Sequence, residues 1–451
     1  MPLDRRTLIS TGIVTAGLAA AAGATAGPRV QANAAARAAL SIAPDDGADH
    51  TAALQAAIDQ AAAQAVPLIL APGTFRVGSL VLRSGSRLIG AARQTVLAFT
   101  GGATFLTAQE AAGLRLESLV VDGGGLGIDA HLATGLIALD DCADVQLADL
   151  EVRRGLLNGI ALTRSSGRVA DCTVREISEA GIVSLDAQGL TVAHNAVTDC
   201  ANNGIQIWRS APGDDGSIVT ANRIERIAAK SGGSGQNGNG INVFRAGGVL
   251  VSGNRIAECL YSAIRANSAS DIQMIGNACR AIGEVALYAE FAFEGALIAS
   301  NLVDSAASGI AVTNFNEGGR LAVVQGNLVR NLFRREAEPV DKRGVGISVE
   351  ADAAVTGNVI EGAPTAGIMA GWGPYLRDVA ITGNLVRSAG VGIMISSDPE
   401  AGACLVSQNM ISGVRDGAIR AMDHGVPHGP DLATAAAQTV GRVSVSGNLA
   451  V

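Results

Sequence analysis

The chain has 451 residues, of which 57 are glycine, 3% are aromatic and 16% are charged. Its apolar packing must therefore rely on small and β-branched side chains, which suits thin repeated layers better than one bulky core. The formal net charge is −8 at pH 7, which argues against the basic stripe that nucleic-acid binding needs. We therefore expect no nucleic-acid partner.

Residues 1–34 have the pattern of an export signal. Arg5 and Arg6 precede an apolar, alanine-rich run from Ile9 to Ala26. Paired arginines before a weakly hydrophobic run are typical of a twin-arginine signal, and a chance basic pair on an ordinary secretory signal is the alternative. Both interpretations predict a periplasmic or secreted protein. No later apolar run reaches the ~20 residues that span a bilayer, so we expect no membrane partner after signal removal.

Residues 35–114 are predicted to form an N-terminal cap helix and the first coils of the fold. Asp49 or Thr51 can cap a helix whose apolar face carries Leu54 and Ile58. These features predict a helix over residues 49–64. Short strands and turns are predicted to follow it from about residue 68.

From residue 115 to the end, one short phrase recurs: an asparagine after a small residue and before apolar ones. It reads SGNRI at 252–256 and TGNLV at 382–386, and most intervals between successive asparagines are 23 to 27 residues. The pattern makes about a dozen units. The repeated asparagines are Asn195, Asn222, Asn254, Asn277, Asn301, Asn327, Asn358, Asn384, Asn409 and Asn448.

A second phrase, Gly or Ala followed by Ile, comes eight or nine residues after most of these asparagines, as in GIQI at 204–207. Both phrases alternate like strands and are too short for ordinary helices. Such units predict a parallel β-solenoid whose turns stack at the ~4.8 Å strand spacing. We expect the asparagine to take the left-handed conformation at the corner and to bond to the asparagines above and below.

The first coils carry the motifs of a known family. Asp45-x-Gly47, Asp49-x-Thr51, Leu54-Gln55 and the APGTF stretch at 71–75 resemble the N-terminal cap and first turn of the pectate-lyase-like right-handed β-helix proteins. With its signal and repeats, the whole chain resembles the twin-arginine-translocated β-helix-repeat proteins of uncharacterised function. The resemblance implies an all-β fold: a single-stranded right-handed parallel β-helix over 115–451 with an N-terminal α-helical cap. It supports the fold far more than any chemistry.

Six cysteines in an exported protein raise the question of disulfides. Cys200 and Cys259 fall in one inward-facing column two turns apart, ~10 Å, which exceeds the ~7 Å limit for bridged Cα atoms. Cys172 occupies the asparagine slot itself. We therefore expect free, buried thiols. No cysteine or histidine pair has zinc spacing, so neither a metal nor a cofactor is predicted; a metal loaded before export is the alternative.

At the repeat positions where related enzymes carry their catalytic residues, this chain has uncharged side chains. In the polygalacturonases, catalytic Asp and His residues lie at or just before the Gly-Ile phrase. The corresponding residues of this chain are Asn158, Ala180, Asn203, Asn239, Ser262 and Ser308. The absence of paired carboxylates there disfavours glycoside hydrolysis. GIDAH at 127–131 is similar to part of the Asp-Pro-His-Asp motif of alginate epimerases, but without its proline and second Asp it predicts a plain loop.

The outward positions of the Gly-Ile strand predict a site. With Gly or Ala as position zero, positions two and four of four consecutive turns carry polar and aromatic residues, between the insertions at 210–217 and 230–239. Aromatic rings stack on sugars and arginines pair with carboxylates, so an open groove for an acidic polysaccharide is predicted. An ordinary solvated face is the alternative. The predicted substrate-binding residues are Gln206, Trp208, Arg209, Asn242, Phe244, Arg245 and Asn267, and the predicted catalytic residues are Arg265, Tyr288 and Glu290.

These residues leave several functions open. An enzyme would be a polysaccharide lyase or C5-epimerase, in which arginine neutralises the substrate carboxylate or serves as base and Glu290 or Tyr288 exchanges a second proton. A non-catalytic protein would use the same groove to hold a cell-envelope glycan or peptidoglycan, whereas a structural rod or adhesin would bind no glycan. Asp423 with His424, or the loop at 371–378, is the next candidate site. The sequence predicts no oligomeric state.

Overall fold

Stacked turns of a parallel β-solenoid form the protein in a computed structural model that describes residues 39–44, 47–233, 235–336, 338–434 and 438–451. Among these residues the solenoid has about 15 turns, and only 6% of them are helical. This confirms the predicted all-β solenoid. The predicted export signal at 1–34 lies outside the described residues.

The described strands form two sheets, because each turn visits both sides of the solenoid. The strand before the corner asparagine belongs to a sheet of 17 strands, here the small sheet, and the strands after it belong to a sheet of 26 strands, here the large sheet. Neighbouring turns pair in parallel, while two pairings near the C-terminus, Ile419–Asp423 with Val426–His428 and Gln438–Val440 with Val443–Ser446, are antiparallel. Two antiparallel pairings are therefore added to the parallel stack near the C-terminus.

The strands of the small sheet are Leu40–Ile42, Leu68–Leu70, Arg87–Ile89, Arg115–Glu117, Val145–Ala148, Gly167–Ala170, Thr191–Ala193, Ile218–Thr220, Leu250–Ser252, Ile272–Ile275, Glu294–Ala299, Arg320–Gln325, Ala351–Thr356, Arg377–Thr382, Cys404–Ser407, Gln438–Val440 and Val443–Ser446. The strands of the large sheet are Gly73–Val77, Leu80–Val81, Thr95–Phe99, Leu106–Gln109, Val120–Asp122, Gly135–Asp140, Glu151–Gly155, Asn158–Thr163, Thr173–Ile177, Ala180–Leu185, Ala196–Cys200, Asn203–Asp214, Arg223–Ile227, Asn239–Gly247, Arg255–Cys259, Ile264–Asn267, Ala278–Glu290, Leu302–Val312, Leu328–Arg330, Val345–Val349, Val359–Ala370, Leu385–Ser396, Met410–Ser412, Ile419–Asp423, Val426–His428 and Leu449–Ala450. Short 3-10 helices span Phe315–Glu317, Val340–Lys342 and Leu432–Thr434.

One α-helix, Thr51–Gln64, lies close to the range predicted from the sequence. Its N-cap residue is His50, whose side chain makes no capping hydrogen bond, so neither predicted capping residue holds that position. Asp49 instead accepts hydrogen bonds from the backbone and hydroxyl of Thr51, at 2.8 and 2.6 Å. The predicted role of this helix as the cap of the solenoid stays a prediction.

The core is built from columns of identical or similar apolar side chains. Ile205, Ile241 and Ile264 lie in register on successive turns of the large sheet, and each is fully buried. Because every turn repeats the same inward positions, burial of these aliphatic side chains accumulates turn by turn and supplies the main drive for folding.

The repeated asparagines form a continuous ladder at one corner of the solenoid, as predicted. In each step the next asparagine's side-chain oxygen accepts two hydrogen bonds, from the backbone N–H and the side-chain amide of the one before, at 2.9–3.1 Å. The same side-chain amide also donates to a backbone carbonyl, as Asn195 does to Val169 at 3.0 Å. Nearly all ladder side chains are buried, so these bonds satisfy groups that water cannot reach.

The left-handed residue at this corner is not the asparagine, which corrects the prediction. The positive φ angles belong to the residue before each ladder asparagine, for example His194 (58°), Gly253 (64°) and Gly383 (66°). Six of those ten residues are glycine, which adopts this conformation without a Cβ clash. The small residue of the repeated phrase therefore bends the chain, and the asparagine bonds the turns together.

All six cysteines are buried and free, and the register confirms their predicted columns. Cys200 pairs with Ile227, which pairs with Cys259 on the next turn. Burial raises the pKa of the thiols of Cys172, Cys200, Cys279 and Cys404 to about 12, so these groups stay protonated and unreactive near neutral pH.

Replacing Asn277 by alanine tests the ladder. The change removes the acceptor for the backbone and side-chain N–H groups of Asn254 and removes a donor to the carbonyl of Val251. We expect the free energy of unfolding to fall by about 3 kcal/mol, because several buried polar groups lose their partners at once. Urea denaturation measures the loss. The control is Asn316→Ala, since the exposed Asn316 side chain donates to Glu317; an equal loss in both variants would contradict a stabilising ladder.

Candidate functional site

The outward positions of the Gly-Ile strands form two rows along the large sheet. In the position-two row, Gln206 pairs with Asn242, Asn242 with Arg265, and Arg265 with Tyr288. The position-four row runs in the same way from Trp208 through Phe244, Asn267 and Glu290. The register therefore brings the predicted residues together on four consecutive turns.

Arg265 lies at the centre of a buried ionic network. Its guanidinium forms a two-point ion pair with Glu290, Nε to Oε1 at 2.7 Å and Nη2 to Oε2 at 2.9 Å, and a longer contact to Glu284 at 3.3 Å. Lys342 completes the network with a 3.1 Å bond from Nζ to Glu284. Burial opposes the charge on Arg265, but the carboxylates of Glu290 and Glu284 outweigh it and raise the pKa. Two cations thus face two carboxylates, and the network neutralises itself.

The prediction of an open groove is wrong for the position-two row and for Glu290. Arg265, Tyr288, Glu290, Gln206 and Asn242 are only 2–8% exposed. They point away from the solenoid core as predicted, yet other parts of the chain lie over them.

Residues 228–233 and 235–239 form the first cover. The side-chain amides of Asn203 and Asn242 donate to the backbone oxygen of Gln236, at 2.7 and 3.2 Å, and that of Asn239 donates to Gly235 at 3.0 Å. Gly235 lies so close that a Cβ there would be 3.4 Å from Nη2 of Arg265. The insertion expected to form a groove wall therefore folds over the position-two row.

Residues 331–336 and 338–344 form the second cover. Arg335 donates to the backbone oxygen of Gly283 at 3.0 Å, and its guanidinium lies 5.3 Å from the ring centroid of Tyr261. Lys342 reaches in from the same segment, with Nζ 5.2 Å from the ring centroid of Tyr288. This segment therefore supplies a cation to the network as well as shielding it.

The catalytic roles predicted for Arg265, Tyr288 and Glu290 stay predictions, and the contacts favour a structural role. Both carboxylates already hold Arg265, so it has no free charge for a substrate carboxylate. Burial raises the pKa of Tyr288 to about 12, and the charge of Glu290 adds to the shift, so its phenol is a poor base at neutral pH.

Sequence reasoning missed four ionisable members of this region: Glu284, Asp341, Lys342 and Glu350. Glu350 stands at position four of the GISV strand, so reading the position-four row past Glu290 would have found it. Burial raises the pKa of Glu350 to about 7, and nearby Asp341 adds to the shift. Glu350 accepts a 2.6 Å hydrogen bond from the backbone N–H of Phe315.

An accessible aromatic pair lies one and two turns before this network. Trp208 and Phe244 are partly exposed, with ring centroids 5.9 Å apart in an edge-to-face arrangement. The guanidinium of Arg245 lies 4.6 Å from the centroid of Phe244. Among the described residues, no carboxylate lies within ion-pair distance of Arg245 or Arg209. The indole N–H of Trp208 and Nε of Arg209 are buried and make no hydrogen bond to the described chain.

A bulge frames the aromatic pair on one side. Trp208 pairs with Phe244 and Gly213 pairs with Ala246, so residues 209–212 stand opposite Arg245 alone. Nη1 of Arg245 donates to the backbone oxygen of Ser210 at 2.9 Å and holds the bulge in place. The predicted insertion at 210–217 is thus a rigid wall beside the rings.

The exposed part of the position-four row extends over more turns than the four that the sequence predicted for the site. Seven successive turns carry side chains that are partly or fully exposed, before the row becomes buried at Glu290. At the usual strand spacing these turns span about 29 Å. We call this the open row: Gln109, Asp140, Thr163, Leu185, Trp208, Phe244 and Asn267.

A cleft of about 490 Å³ lies at the start of the open row, where the 123–134 loop stands beside the sheet. Its lining includes Gln109, His131, Asp140 and Thr163. The GIDAH stretch expected to be a plain loop belongs to this loop and contains no strand. The two ends of the open row therefore differ: Gln109, Asp140 and Thr163 line a cleft, whereas Phe244 lies beside Arg245.

Comparison with known proteins gives the family. The family model described as a right-handed beta helix region matches residues 127–224, 158–329 and 212–386, which together cover more than half of the chain. The chain belongs to this right-handed β-helix family. The family assignment supplies the handedness of the solenoid. No curated protein matches the chain.

Solved structures similar to this β-helix include the N-terminal fragment of gene product 12 from bacteriophage Phi29. That fragment is 15% identical, with a TM-score of 0.50 over 88% of this chain and 68% of its own. An α-1,3-glucanase catalytic unit from Streptomyces thermodiastaticus is 15% identical, with a TM-score of 0.47 over 90% and 66%. A surface adhesin of Streptococcus pneumoniae is 13% identical, with a TM-score of 0.46 over 85% and 91%. The β-helix spans about two thirds of the first two chains, and identities this low show a shared fold alone.

The second candidate site of the β-helix also comes together. His424 contacts Asp423, with Nδ1 2.6 Å from Oδ1, and packs edge-on against Trp372 of the 371–378 loop at 5.4 Å. Among the described residues, no group of three or more His, Cys, Asp or Glu side chains is placed to hold a metal ion, and no helix is long and apolar enough to cross a membrane.

Replacing Arg265 by alanine separates the structural role from the substrate-binding role. The change leaves the buried Glu290 without its cation and leaves Glu284 with Lys342 alone, so we expect the free energy of unfolding to fall by about 3 kcal/mol. The control is Arg245→Ala, which removes a partly exposed arginine without an ion pair and should cost less than about 1 kcal/mol. Thermal and urea denaturation give both values. Equal costs would refute the structural network and restore Arg265 as a candidate ligand-binding residue.

The pKa of Glu350 predicts a dependence of stability on pH. Its value of about 7 in the folded protein exceeds the ordinary 4.5, so the folded state keeps a proton that the unfolded state releases. The stabilisation is complete below pH 4.5 and is lost as pH rises through about 7. Relative to Glu350→Gln, which stays neutral, the native protein should lose about 3 kcal/mol over this range. Urea denaturation at several pH values measures the difference, and parallel profiles would show that Glu350 titrates normally.

Proposed function

We propose that this β-helix is an exported protein that binds an acidic polysaccharide along the open row. The observation that carries the proposal is the pairing of accessible aromatic rings with an arginine that has no ion pair: Trp208 and Phe244 on neighbouring turns, with Arg245 over the ring of Phe244. Exposed aromatic rings are costly, and the chain has only 13, so two on one open face favour a binding role.

The two residue types supply complementary parts of glycan recognition. Aromatic rings give apolar area on which the flat face of a sugar ring packs, and they lose little conformational entropy when they do so. Arginine supplies a planar set of donors that matches a carboxylate. Since no carboxylate of the described chain lies within ion-pair distance of Arg245, a uronate in the ligand would supply the missing partner.

The shape of the face suits an extended polymer. The open row is straight because the turns stack in register, and it spans about 29 Å at the strand spacing. The bulge at 209–212 bounds it on one side, and the covered ionic network bounds it at the Glu290 end. A linear glycan lying along the solenoid axis would therefore contact several turns at once.

Binding rather than catalysis is the function we propose. The ionic network beside the row is self-neutralised and covered, and the predicted lyase or epimerase chemistry requires free groups that reach the sugar. A cell-envelope glycan outside the cytoplasm would be the natural partner if the predicted signal directs export.

The test is a screen of the protein against an array of acidic and neutral glycans, with two matched double variants. Trp208→Ala with Arg245→Ala should weaken binding to acidic glycans about 50-fold, because both contact types are removed. Trp372→Ala with Arg168→Ala changes the other tryptophan of the chain and an exposed arginine of the small sheet, and should leave binding unchanged.

Two results would overturn the proposal. If the Trp208 variant binds as the native protein does, the open row is not the site. If the Trp372 variant alone loses binding, the site lies with His424 and the 371–378 loop. Melting temperatures of both variants, expected to stay close to that of the native protein, show that any loss of binding is local.

A further inference from the structure

The cleft of about 490 Å³ at the start of the open row is a candidate site without an assigned role. Four turns of the large sheet form its floor, with Thr107 and Ala138 in the position-two row and Asp140 and Thr163 in the position-four row. Small side chains at position two deepen the surface, and hydroxyl, amide and carboxylate groups surround them.

The loop that walls the cleft is held in place by the chain itself. The backbone N–H of Asp129 donates to the carbonyl of Ala103 at 2.8 Å, and its carboxylate accepts a hydrogen bond from the backbone N–H of His131 at 2.9 Å. At the start of the loop, the buried carboxylate of Asp122 accepts the N–H of Gly124 at 3.0 Å and Nε of Arg154 at 2.7 Å. The cleft is therefore formed before any ligand arrives, which lowers the entropic cost of binding.

The charge of the cleft differs from that of the aromatic pair. No lysine or arginine is among its lining residues, and Asp140 already pairs with Arg164 on its outer side. A uronate placed there would meet the carboxylate of Asp140 and no free cation. Hydroxyl and amide groups of an uncharged sugar would instead find Thr107, Gln109 and Thr163 as partners.

We propose that this cleft is a second saccharide subsite, which takes an uncharged sugar unit of the same chain that the aromatic pair binds. The inference rests on the proposed function and makes it more specific. Asp140 and Trp208 are three turns apart, about 14 Å at the strand spacing, so one oligosaccharide reaches both. The ligand is then a polysaccharide that contains both charged and uncharged sugars.

Filling the cleft tests the subsite. Ala138→Leu places a larger side chain there from the position-two row, which already accommodates Val81 and Val183. Thr163→Val removes a polar group of the lining without changing its shape. The control, Ala354→Leu, makes the same change on the outer face of the small sheet, in a row that already holds Leu297 and Leu405.

Two probes of equal length distinguish the ligand classes. A hyaluronan octasaccharide alternates a uronate with an uncharged N-acetylated sugar, whereas in an octagalacturonate every unit is a uronate. We expect Ala138→Leu and Thr163→Val each to weaken calorimetric binding of the hyaluronan probe about tenfold, while octagalacturonate binding changes less than about twofold. Ala354→Leu should change neither affinity.

The outcomes separate this inference from the proposed function. Unchanged hyaluronan binding in both cleft variants, with binding still lost in the Trp208 and Arg245 double variant, would overturn the subsite alone. An equal loss for both probes would overturn the preference for an uncharged sugar. Failure of the native protein to bind either probe would overturn the proposed function and the subsite together. Circular dichroism shows whether Ala138→Leu folds, and Thr163→Val carries the test if it does not.

Discussion

The asparagine ladder is the interaction on which the rest of the molecule depends, because it sets the register between turns at the corner where the chain could slip. Each step carries two hydrogen bonds to one side-chain oxygen, and each asparagine sits directly after a residue in the left-handed conformation. A slip of one residue would turn every inward side chain outward. The ladder therefore stabilises the stack and also fixes which side chains form the outer face.

Because the register is fixed, each turn adds one residue to every row of the outer face at a constant spacing. Because neighbouring turns differ by a constant strand spacing, a short run of changed residues alters the face locally without disturbing the apolar columns beneath. Ala161 and Gln206 occupy one row two turns apart, each above fully buried isoleucines of the core. The core and the binding face can thus vary almost independently, which separates stability from recognition.

The periodicity of the sequence was enough to predict the solenoid, the ladder and the rows, since these depend on residues at regular spacing. It was not enough to predict burial of the rows. Lys342 contacts Glu284 from 58 residues further along the chain, and no repeat position marks such a contact. The long interval between Asn327 and Asn358 signalled an insertion, but not that it would fold back over the face. The left-handed corner was assigned one residue too late, because asparagine and glycine both favour that conformation and stand side by side.

The covered ionic network and the open row show the two ways in which charged side chains are stable on the outer face of the large sheet. Charged side chains on a solenoid face are stable either in solvent or with their partners under a cover, because an unpaired buried charge is strongly destabilising. Arg265 meets this requirement through Glu290 and Glu284 beneath two segments, while Arg245 and Arg209 remain partly exposed without an ion pair. On the turns of Trp208 and Phe244 the cover lies over Gln206 and Asn242 in the position-two row, while the two rings in the position-four row stay partly exposed. Paired, covered charges therefore lie beside a partly exposed row that adjoins arginines without an ion pair, and the proposed anionic ligand would gain most by binding at that exposed row.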